Sequence, residues 1–493
     1  MGKNSSHLVF ESRESISNSI LVFDFESAVL RSTTLFPYFM LVAFEAGGLL
    51  RFLLLFLSYP LVWLAGEHQM GLKVMVFLSF FGIKKDTFRI GSSVLPKFFL
   101  EDVGCEGFEA VMTFRRKVAI SKMPRIMVEN FLNEYIGAET VVAGEVKSLY
   151  GYFLGFMEDK IQRNKALLEE LEENKATHNV VGMTCQKHVD QQVFSHCKEA
   201  HYVSDAEKRK WHVLPRDRYP KPLIFHDGRL AFRPTLSSSL AMFMWLPLGL
   251  LISLIRFAAG ELLPLKTCGP IYALSGSRNT VSRTYNIDTQ EESTKPKGML
   301  YVCNHRTLLD PLFISYALDK PVSAVTYSLS RFHELVAPIK TIRLTRDRDE
   351  DRKTMEKLLT SGSLVVCPEG TTCREPYLLR FSPLFAELTD DIVPVGLDVK
   401  VSMFYGTTAS GLKSLDALFQ LLNPNPSYHI KILQRLPESS TCQAGGKSRV
   451  EVANHVQSEI GKALGYECTS FTRKDKYMIL AGHEGLCSER PGN

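Results

Sequence analysis

The feature that most constrains this chain is a run of twenty residues without a charge, Leu236 to Ile255 (LSSSLAMFMWLPLGLLISLI). A helix of about twenty apolar residues is long enough to cross a hydrocarbon core of roughly 30 Å. Pro247 predicts a kink in it. Arg233 and Arg256 flank the run, and we expect their long side chains to reach the membrane interface. The sequence therefore predicts a membrane-embedded helix over 236–262, with a buried core helix as the alternative.

A second apolar stretch, Leu35 to Leu64, is interrupted by charged residues and helix breakers: Glu45, Gly47, Gly48, Arg51 and Pro60. A charge in mid-bilayer costs about 2.5–3.5 kcal/mol on insertion scales. We therefore expect a hairpin or an interfacial helix here. Membrane lipids are the expected surroundings, whereas a net charge of +5 is too small an excess to indicate nucleic acid.

Short apolar runs bounded by turn residues predict buried parallel strands in two parts of the chain. The N-terminal runs are Ile20–Asp24, 117–121 and 179–182. The C-terminal runs are 299–303, 363–367 and 392–396. Helical patterns alternate with these strands, so the fold class is α/β with two α/β domains.

The domain boundaries follow from these runs and the two apolar stretches. We expect an N-terminal domain over 15–205 that carries the apolar insert 35–64, and then a linker over 206–235. The membrane-embedded helix over 236–262 precedes a second α/β domain over 263–440. A helical tail over 441–493 ends the chain. Ten cysteines stand singly, without metal-ligand spacing, which predicts reduced thiols and no metal site.

The candidate chemistry begins where the strand 299–303 ends. His305 is followed five positions later by Asp310, and a carboxylate at that distance can orient an imidazole that takes a proton from a hydroxyl. The spacing alone is not specific, because His212 and Asp217 share it. That second pair encloses a proline and follows no strand, so we assign it to the linker.

Three further blocks follow in order. The first is a cluster of cations around one apolar strand that includes Arg343 and Arg346; Arg matches phosphate oxygens, but neighbouring acids also make a solvated face an acceptable explanation. The second is Pro368-Glu-Gly-Thr371 at a strand end, and the third is a Val-Pro-Val strand over 392–396. Each block alone is weak evidence for a function.

Together, in this order and spacing, the four blocks resemble the glycerolipid acyltransferase superfamily, with its N-H-x4-D, Arg-bearing strand, P-E-G-T and V-P-V motifs. The resemblance implies that His305 is the general base and that Asp310 orients it. It assigns phosphate binding to Arg343 and Arg346. It assigns acceptor binding to three residues of one turn: Glu369, Gly370 and Thr371. The V-P-V strand would line the acyl site. One departure is that Thr372 and Cys373 intervene before Arg374, whereas many members carry an arginine soon after the motif; this bears on the role of Arg374 and not on the dyad.

Longer stretches, Phe36–Gly48, Pro368–Pro376 and Phe471–Tyr477, look like the land-plant membrane-bound glycerol-3-phosphate acyltransferases of cutin and suberin precursor synthesis. This resemblance implies acyl-CoA as co-substrate, glycerol 3-phosphate as acceptor and lysophosphatidic acid as product, with sn-2 acylation favoured and sn-1 left open. It also implies an endoplasmic-reticulum membrane protein, multi-pass or re-entrant, whose active site faces the cytosol. A single acyl transfer of this kind needs no bound cofactor, metal or covalent enzyme intermediate.

In that family the N-terminal domain is similar to haloacid-dehalogenase phosphatases, and Asp24 matches the nucleophile site. Glu26 stands where a second Asp is usual, one methylene too long. Met183 stands in the later acid site, and a thioether cannot hold Mg²⁺; Asp190 is the acid nearby. We therefore expect a degenerate Rossmannoid domain without phosphatase activity.

Three alternatives stay open at this point. The chain could be a lysophospholipid acyltransferase, which would use the same dyad with a bulkier acceptor. It could be a bifunctional acyltransferase and phosphatase that releases monoacylglycerol. It could also be a catalytically silent lipid-binding membrane protein, since one domain looks degenerate.

Overall fold

A computed structural model describes residues 19–158, 179–185, 191–194, 197–284, 298–326, 339, 341–345 and 347–484. The chain divides into two compact units. The first comprises Met1–His226 and Arg233–Ser239, and the second comprises Asp227–Phe232 and Leu240–Asn493. Each is described by itself.

The first unit is built on a five-stranded parallel sheet in the order β3-β2-β1-β6-β7. Its strands are β1 (Ile20–Asp24), β2 (Arg116–Ile120), β3 (Thr140–Val142), β6 (Val180–Thr184) and β7 (Glu199–Tyr202). An antiparallel hairpin lies apart from it, formed by β4 (Val146–Leu149) and β5 (Tyr152–Met157). All five residues of β1 are buried, as expected for a central strand that is covered on both faces.

Helices surround this sheet. They are α1 (Phe25–Ala28), α2 (Phe36–Leu57), α3 (Tyr59–Leu64), α4 (Gly71–Phe80), α5 (Ile90–Ser93), α6 (Leu95–Leu100), α7 (Cys105–Met112), α8 (Arg125–Phe131), α9 (Gln191–Phe194) and α10 (Asp205–Lys208). Within the predicted apolar insert, α2 packs on α4, which lies outside the insert, and the hydroxyl of Ser79 donates to the carbonyl of Phe39 at 3.2 Å. Gly48, at φ +73°, breaks α2.

The second unit contains a seven-stranded mixed sheet in the order β11-β10-β12-β9-β14-β15-β8. Its strands are β8 (Arg278–Arg283), β9 (Leu300–Cys303), β10 (Val322–Thr326), β11 (Thr341–Arg343), β12 (Ser363–Val366), β14 (Ile392–Lys400) and β15 (Ser427–Ile432). The first five strands in this order (β11, β10, β12, β9 and β14) run parallel to one another, and β15 is antiparallel to β14. A separate pair is formed by β13 (Tyr377–Leu378) and β16 (Glu467–Cys468).

Seven helices of the described residues accompany this sheet: α11 (Leu236–Leu262), α12 (Leu265–Leu274), α13 (Asp310–Leu318), α14 (Arg348–Ser361), α15 (Asp416–Leu421), α16 (Arg449–Leu464) and α17 (Arg473–Ala481). Alternate residues of β9 enter different cores, because strand side chains alternate between faces. Leu300 and Val302 pack with α14 and α16, whereas Tyr301 and Cys303 pack with α12 and α13. The predicted α/β class is confirmed, with buried strands where apolar runs predicted them.

The helix α11 corrects one expectation. Arg256 does not reach towards an interface; its side chain is fully buried. Its guanidinium donates to the carbonyl oxygens of Leu421 at 2.5 Å and Asn423 at 2.7 Å. Arg233 instead forms an ion pair with Asp102. The expectation that Arg256 reaches a membrane interface is therefore wrong, since buried carbonyl oxygens satisfy its cation instead. For Arg233, which keeps an exposed fraction of 30%, it stays a prediction.

Candidate active site

The turn between β9 and α13 holds the predicted dyad. Nδ1 of His305 lies 2.9 Å from Oδ2 of Asp310. The fully buried Asp310 carboxylate also accepts the backbone N–H of Arg306 at 2.6 Å and the hydroxyl of Thr307 at 2.8 Å. These donors fix the carboxylate, and the carboxylate fixes the imidazole. With Nδ1 engaged, Nε2 is the nitrogen that can exchange a proton with a substrate.

The same turn is tied to the neighbouring strand by Asn304, a residue to which the sequence motifs assigned no role. Its amide nitrogen donates to the carbonyl of Leu397 at 2.9 Å, and its amide oxygen accepts the N–H of Leu397 at 2.7 Å. These two hydrogen bonds use both the donor and the acceptor of the Asn304 side-chain amide. The asparagine that opens the N-H-x4-D motif was the available signal.

The P-E-G-T turn follows β12, the neighbour of β9. One carboxylate oxygen of Glu369 accepts the N–H of His305 at 2.8 Å, and the other accepts the N–H of Leu379 at 3.0 Å. Burial raises the pKa of Glu369 to about 7, although both N–H groups oppose it. Gly370 has φ +66°, which glycine tolerates best. Glu369 thus braces the backbone of the dyad.

A cavity of about 1050 Å³ lies entirely within the second unit and includes His305, Glu369 and Gly370 in its lining. Much of the remaining lining is apolar, and α11 contributes five residues: Ser253, Leu254, Phe257, Gly260 and Glu261. Thr371 is not in the lining; its buried hydroxyl accepts a hydrogen bond from Lys476 at 3.3 Å. The cavity therefore combines the imidazole of His305 with an apolar wall.

The cations of this cavity differ from those expected from the sequence. Arg380 and Arg473 line it. Arg343 is exposed on the edge strand β11 and does not line it, although Thr341 does. Arg346 lies outside the described residues. Arg473 belongs to the Phe471–Tyr477 stretch that carried the family resemblance, which was the signal for it.

Two cysteines lie beside the dyad. Residues 302 and 366 are in register on β9 and β12, so the next residues, Cys303 and Cys367, are neighbours with their sulfurs 3.4 Å apart. A hydrogen bond from Cys303, joined by the charge of His305, lowers the pKa of Cys367 to about 6 against the effect of burial. Burial disfavours the charged imidazole, but Cys367 and Asp310 outweigh it and raise the pKa of His305 well above its ordinary value.

The arginine displaced from the P-E-G-T motif has a structural partner. Arg374 forms an ion pair with Asp227 at 3.6 Å. The two residues that flank Arg374 are held by Arg306, which donates to the carbonyls of Cys373 at 2.7 Å and Glu375 at 2.8 Å. The departure from the family pattern therefore coincides with a braced loop, and it leaves the dyad intact.

The first unit places Asp24 and Glu26 at the carboxyl end of β1. Glu26 directs one oxygen to the hydroxyl of Ser121 at 2.5 Å and to the N–H of Lys122 at 2.9 Å. Burial and the charge of Glu26 raise the pKa of Asp24 to about 7. The amino group of Lys208 donates to the carbonyl of Glu26 at 2.7 Å.

These residues do not fit Mg²⁺. A hard cation prefers several carboxylate oxygens, yet Oε1 of Glu26 is already engaged by Ser121 and Lys122, which leaves only Oε2, and Met183 occupies the later acid position. Among the described residues, no group of three His, Cys, Asp or Glu side chains could hold a metal ion. Asp190 lies outside them. The described part of this site therefore lacks the ligand set that a magnesium-dependent phosphatase step requires.

Comparisons with known proteins cover both units. The family described as "Glycerol-3-phosphate acyltransferase RAM2-like, HAD-like domain" matches residues 20–203, and the family "Acyltransferase" matches 285–398. "Probable glycerol-3-phosphate acyltransferase 3" of Arabidopsis thaliana is 54% identical over 478 residues, 96% of this chain and 91% of that protein. "Glycerol-3-phosphate acyltransferase RAM2" of Petunia hybrida is 42% identical over 474 residues, 95% of this chain and 98% of that protein.

Proposed function

The chain belongs to the plant glycerol-3-phosphate acyltransferases, and from that membership we propose that its second unit transfers an acyl group from acyl-CoA to a hydroxyl of glycerol 3-phosphate. The observation that carries the site assignment is the 2.9 Å contact between His305 and Asp310 at an apolar cavity. A general base, its orienting carboxylate and room for an acyl chain are the parts that acyl transfer to an alcohol requires.

In the proposed reaction His305 accepts the hydroxyl proton through Nε2, because Asp310 holds Nδ1. The hydroxyl oxygen attacks the carbonyl carbon of the acyl thioester, and CoA leaves as a thiol. The product is lysophosphatidic acid. Family membership favours the sn-2 hydroxyl as the acceptor, with sn-1 as the alternative outcome of the experiment below.

For the phosphate of the acceptor we propose Arg380 and Arg473, because both line the cavity of the dyad. Arginine pairs with phosphate oxygens through two parallel hydrogen bonds. Arg343 and Arg346 remain the choice that family motifs favour, and Glu369, Gly370 and Thr371 remain the proposed acceptor turn. Glu369 acts there by holding the backbone of His305.

We further propose that the protein binds a membrane. Two helices, Phe36–Leu57 and Leu236–Leu262, are long and apolar enough to cross one. In α11 one side is anchored by the buried Arg256, while large apolar side chains such as Met244 (73% exposed) and Leu251 (56%), which do not line the cavity, face outwards. This pattern suits a helix that lies against lipid along one face. An endoplasmic-reticulum membrane, a cytosolic active site and a role in cutin or suberin precursor synthesis are parts of this proposal.

For the first unit we propose a structural or regulatory role without phosphatase activity. The support is the commitment of Glu26 to Ser121 and the presence of Met183 where an acid is needed. The alternative is a bifunctional enzyme that releases monoacylglycerol. The domain boundaries at 205, 235, 262 and 440 are also proposals, and their support is the position of the apolar stretches and motifs.

The test uses microsomes that carry the wild type, His305→Ala or the control His455→Ala, whose histidine is exposed on α16. Labelled glycerol 3-phosphate and acyl-CoA are supplied, and products are separated by regioisomer. We expect lysophosphatidate from the wild type and the control but not from His305→Ala. Preference for a lysophospholipid in an acceptor competition would replace the proposed acceptor, and free monoacylglycerol would overturn the proposal for the first unit.

A further inference from the structure

We propose that the first unit docks on anionic phospholipid headgroups through a surface shared by the β4–β5 hairpin and the end of α4. This inference rests on the proposed membrane binding and deepens it, because it names a further place of contact and the class of lipid. It involves none of the residues of α11. We call the site the hairpin surface; its aromatic part is Phe77, Phe81, Tyr150 and Phe156, and its basic part is Lys84 and Lys85.

The tip of the hairpin carries an aromatic side chain where a small polar residue is usual. Tyr150 and Gly151 form a two-residue turn between the paired residues Leu149 and Tyr152. Their φ angles are +49° and +80°, the left-handed values that such a turn requires and that Asn-Gly adopts most easily. A bulky residue is rarely found in this conformation. Tyr150 is also 92% exposed, so packing within the protein does not account for it.

Further exposed rings lie along the same hairpin. The ring centroid of Phe77 on α4 lies 5.6 Å from that of Phe156 on β5 and 5.0 Å from that of Phe81. Phe77 is 37% exposed, Phe81 51% and Phe156 56%. Burial of aromatic rings is favourable, yet these three remain in part open to solvent. A contiguous exposed apolar surface of this kind marks a site that meets another protein or a membrane.

The apolar helix α2 reaches the same end of α4. Its two halves fold back on each other at the glycine break, since the ring centroids of Phe44 and Phe52 lie 5.4 Å apart. Just after this reversal, the guanidinium of Arg51 donates to the carbonyl of Ser79 at 3.2 Å. The reversal, which exposes 71% of Leu50, therefore lies near the end of α4. The most apolar helix of the first unit thus comes close to the hairpin surface.

Two lysines are held beside the tip of the hairpin by backbone contacts. Lys84 forms an isolated antiparallel bridge with Tyr152. The N–H of Lys85 donates to the carbonyl of Gly151 at 2.8 Å. Both lysine side chains are exposed. The fold therefore places two ammonium groups next to the aromatic tip.

These charges favour lipid over a protein partner. Lys147 on β4 adds a third exposed cation, and Asp86 is the exposed acid that directly follows the two lysines. Tyrosine is enriched at the level of lipid headgroups, and lysines close to a membrane are attracted by anionic lipids. Lysine is depleted in protein–protein interfaces. The combination therefore indicates a surface whose rings enter the headgroup layer while its ammonium groups meet lipid phosphates.

The direct test places a fluorescent reporter at the tip of the hairpin. Full-length Tyr150→Trp is reconstituted in vesicles whose phospholipids carry bromine on the acyl chains, and the emission of the wild type, with its three native tryptophans, is subtracted. In vesicles that contain an anionic phospholipid we expect the added emission to be blue-shifted and quenched. The control is Tyr202→Trp on β7, where the native tyrosine is 51% exposed outside the hairpin surface, and its added emission should stay unquenched.

The role of the lysines is tested in the same reporter protein. Lys84→Glu combined with Lys85→Glu should weaken docking on anionic vesicles by at least about 25-fold, about five-fold for each lysine lost. Arg209→Glu combined with Lys210→Glu makes the same charge change at two exposed residues of the same unit and should leave the quenching unchanged. Equal quenching in neutral and anionic vesicles would overturn the assignment to anionic lipid.

The remaining outcomes separate this inference from the proposals on which it rests. A protein that sediments with vesicles and makes lysophosphatidate, but whose added tryptophan at position 150 emits as in water, overturns docking through the hairpin surface and leaves both proposals standing. A blue shift without quenching by brominated lipid would mean that a second copy of the chain covers the surface, which also overturns it. A wild type that does not bind vesicles of either composition overturns the proposed membrane binding itself.

Discussion

Nη2 of Arg374 lies 3.6 Å from Oδ1 of Asp227, and both side chains are buried. The same nitrogen donates to the carbonyl of Gly228 at 2.8 Å. Asp227 in turn accepts the N–H groups of Ala409 at 3.0 Å and Ser410 at 2.9 Å. One ion pair thus joins three distant parts of the second unit next to the P-E-G-T turn.

Loss of either partner should destabilise the second unit strongly. Arg374→Ala leaves the Asp227 carboxylate buried without its cation, and removal of one partner of a buried pair typically costs about 3–5 kcal/mol. We expect a lower thermal midpoint for the full-length protein, measured in detergent. The control is Arg352→Ala, which removes only a solvent-exposed pair with Glu356, so its midpoint should stay close to that of the wild type. Equal midpoints for the two variants would contradict the bracing role.

The same pair predicts a pH dependence. Burial alone would raise the pKa of Asp227, but the charge of Arg374 and the donors of Ser410 and Ala409 hold it well below its usual range. A depressed folded-state pKa contributes stability above the unfolded value of about 3.9, and this stability is lost as the pH falls below it. The midpoint difference between wild type and Asp227→Asn should therefore be largest above about pH 4 and shrink in stronger acid. A constant difference would argue against the ionised pair.

The strands and the dyad could be predicted because both are local in sequence. Each buried strand is a short apolar run, and the order from His305 to Asp310 lies within one turn. The partners of Arg256 and Arg374 were not predictable in this way, since Asn423 and Asp227 come from remote segments. The side chain of Arg256 was expected to extend to the membrane interface because Arg256 borders a run of twenty residues without a charge. The fold instead brings a row of backbone carbonyls to it.

Asp310 should act through His305. Asp310→Asn keeps the size of the side chain but removes the charge that orients the imidazole, and we expect kcat to fall by about 10²- to 10⁴-fold. A matched control lies at the other end of the same helix, where Asp319→Asn changes an exposed side chain (59% exposed). Steady-state kinetics measure kcat for both variants. An Asp310→Asn enzyme with normal kcat would remove Asp310 from the proposed mechanism.

Cys303 should set the reactivity of the Cys367 thiol. Its hydrogen bond is the largest contribution that lowers the pKa of Cys367 to about 6. In Cys303→Ala that donor is absent, so the thiolate fraction at a given pH should fall. We expect the midpoint for alkylation of Cys367 by iodoacetamide to lie near pH 6 in the wild type and higher in the variant. Peptide mass spectrometry over a pH series measures it, and an unchanged midpoint would rule out this donor.

The KM for glycerol 3-phosphate should show which arginines bind the phosphate of the acceptor. Arg380→Gln and Arg473→Gln each remove a cation from the cavity lining. A hydrogen bond to a charged group contributes about 1.5–3 kcal/mol, so the KM for glycerol 3-phosphate should rise by roughly 10- to 100-fold. The KM for acyl-CoA should change little. Arg343→Gln is the informative comparison: a rise only in that variant would favour the motif-based assignment over the lining residues.

The exposed face of α11 should decide membrane binding. Leu248 and Leu251 are 51% and 56% exposed and lie three residues apart, so they share one helical face. Burial of a leucine side chain is worth about 1.5–3 kcal/mol, and replacement of both by lysine should weaken binding to phospholipid vesicles by at least about 100-fold. The control Leu412→Lys changes a more exposed leucine (71%) elsewhere in the same unit. Vesicle co-sedimentation measures the partition, and a double variant that still sediments like the wild type would show that this face does not meet lipid.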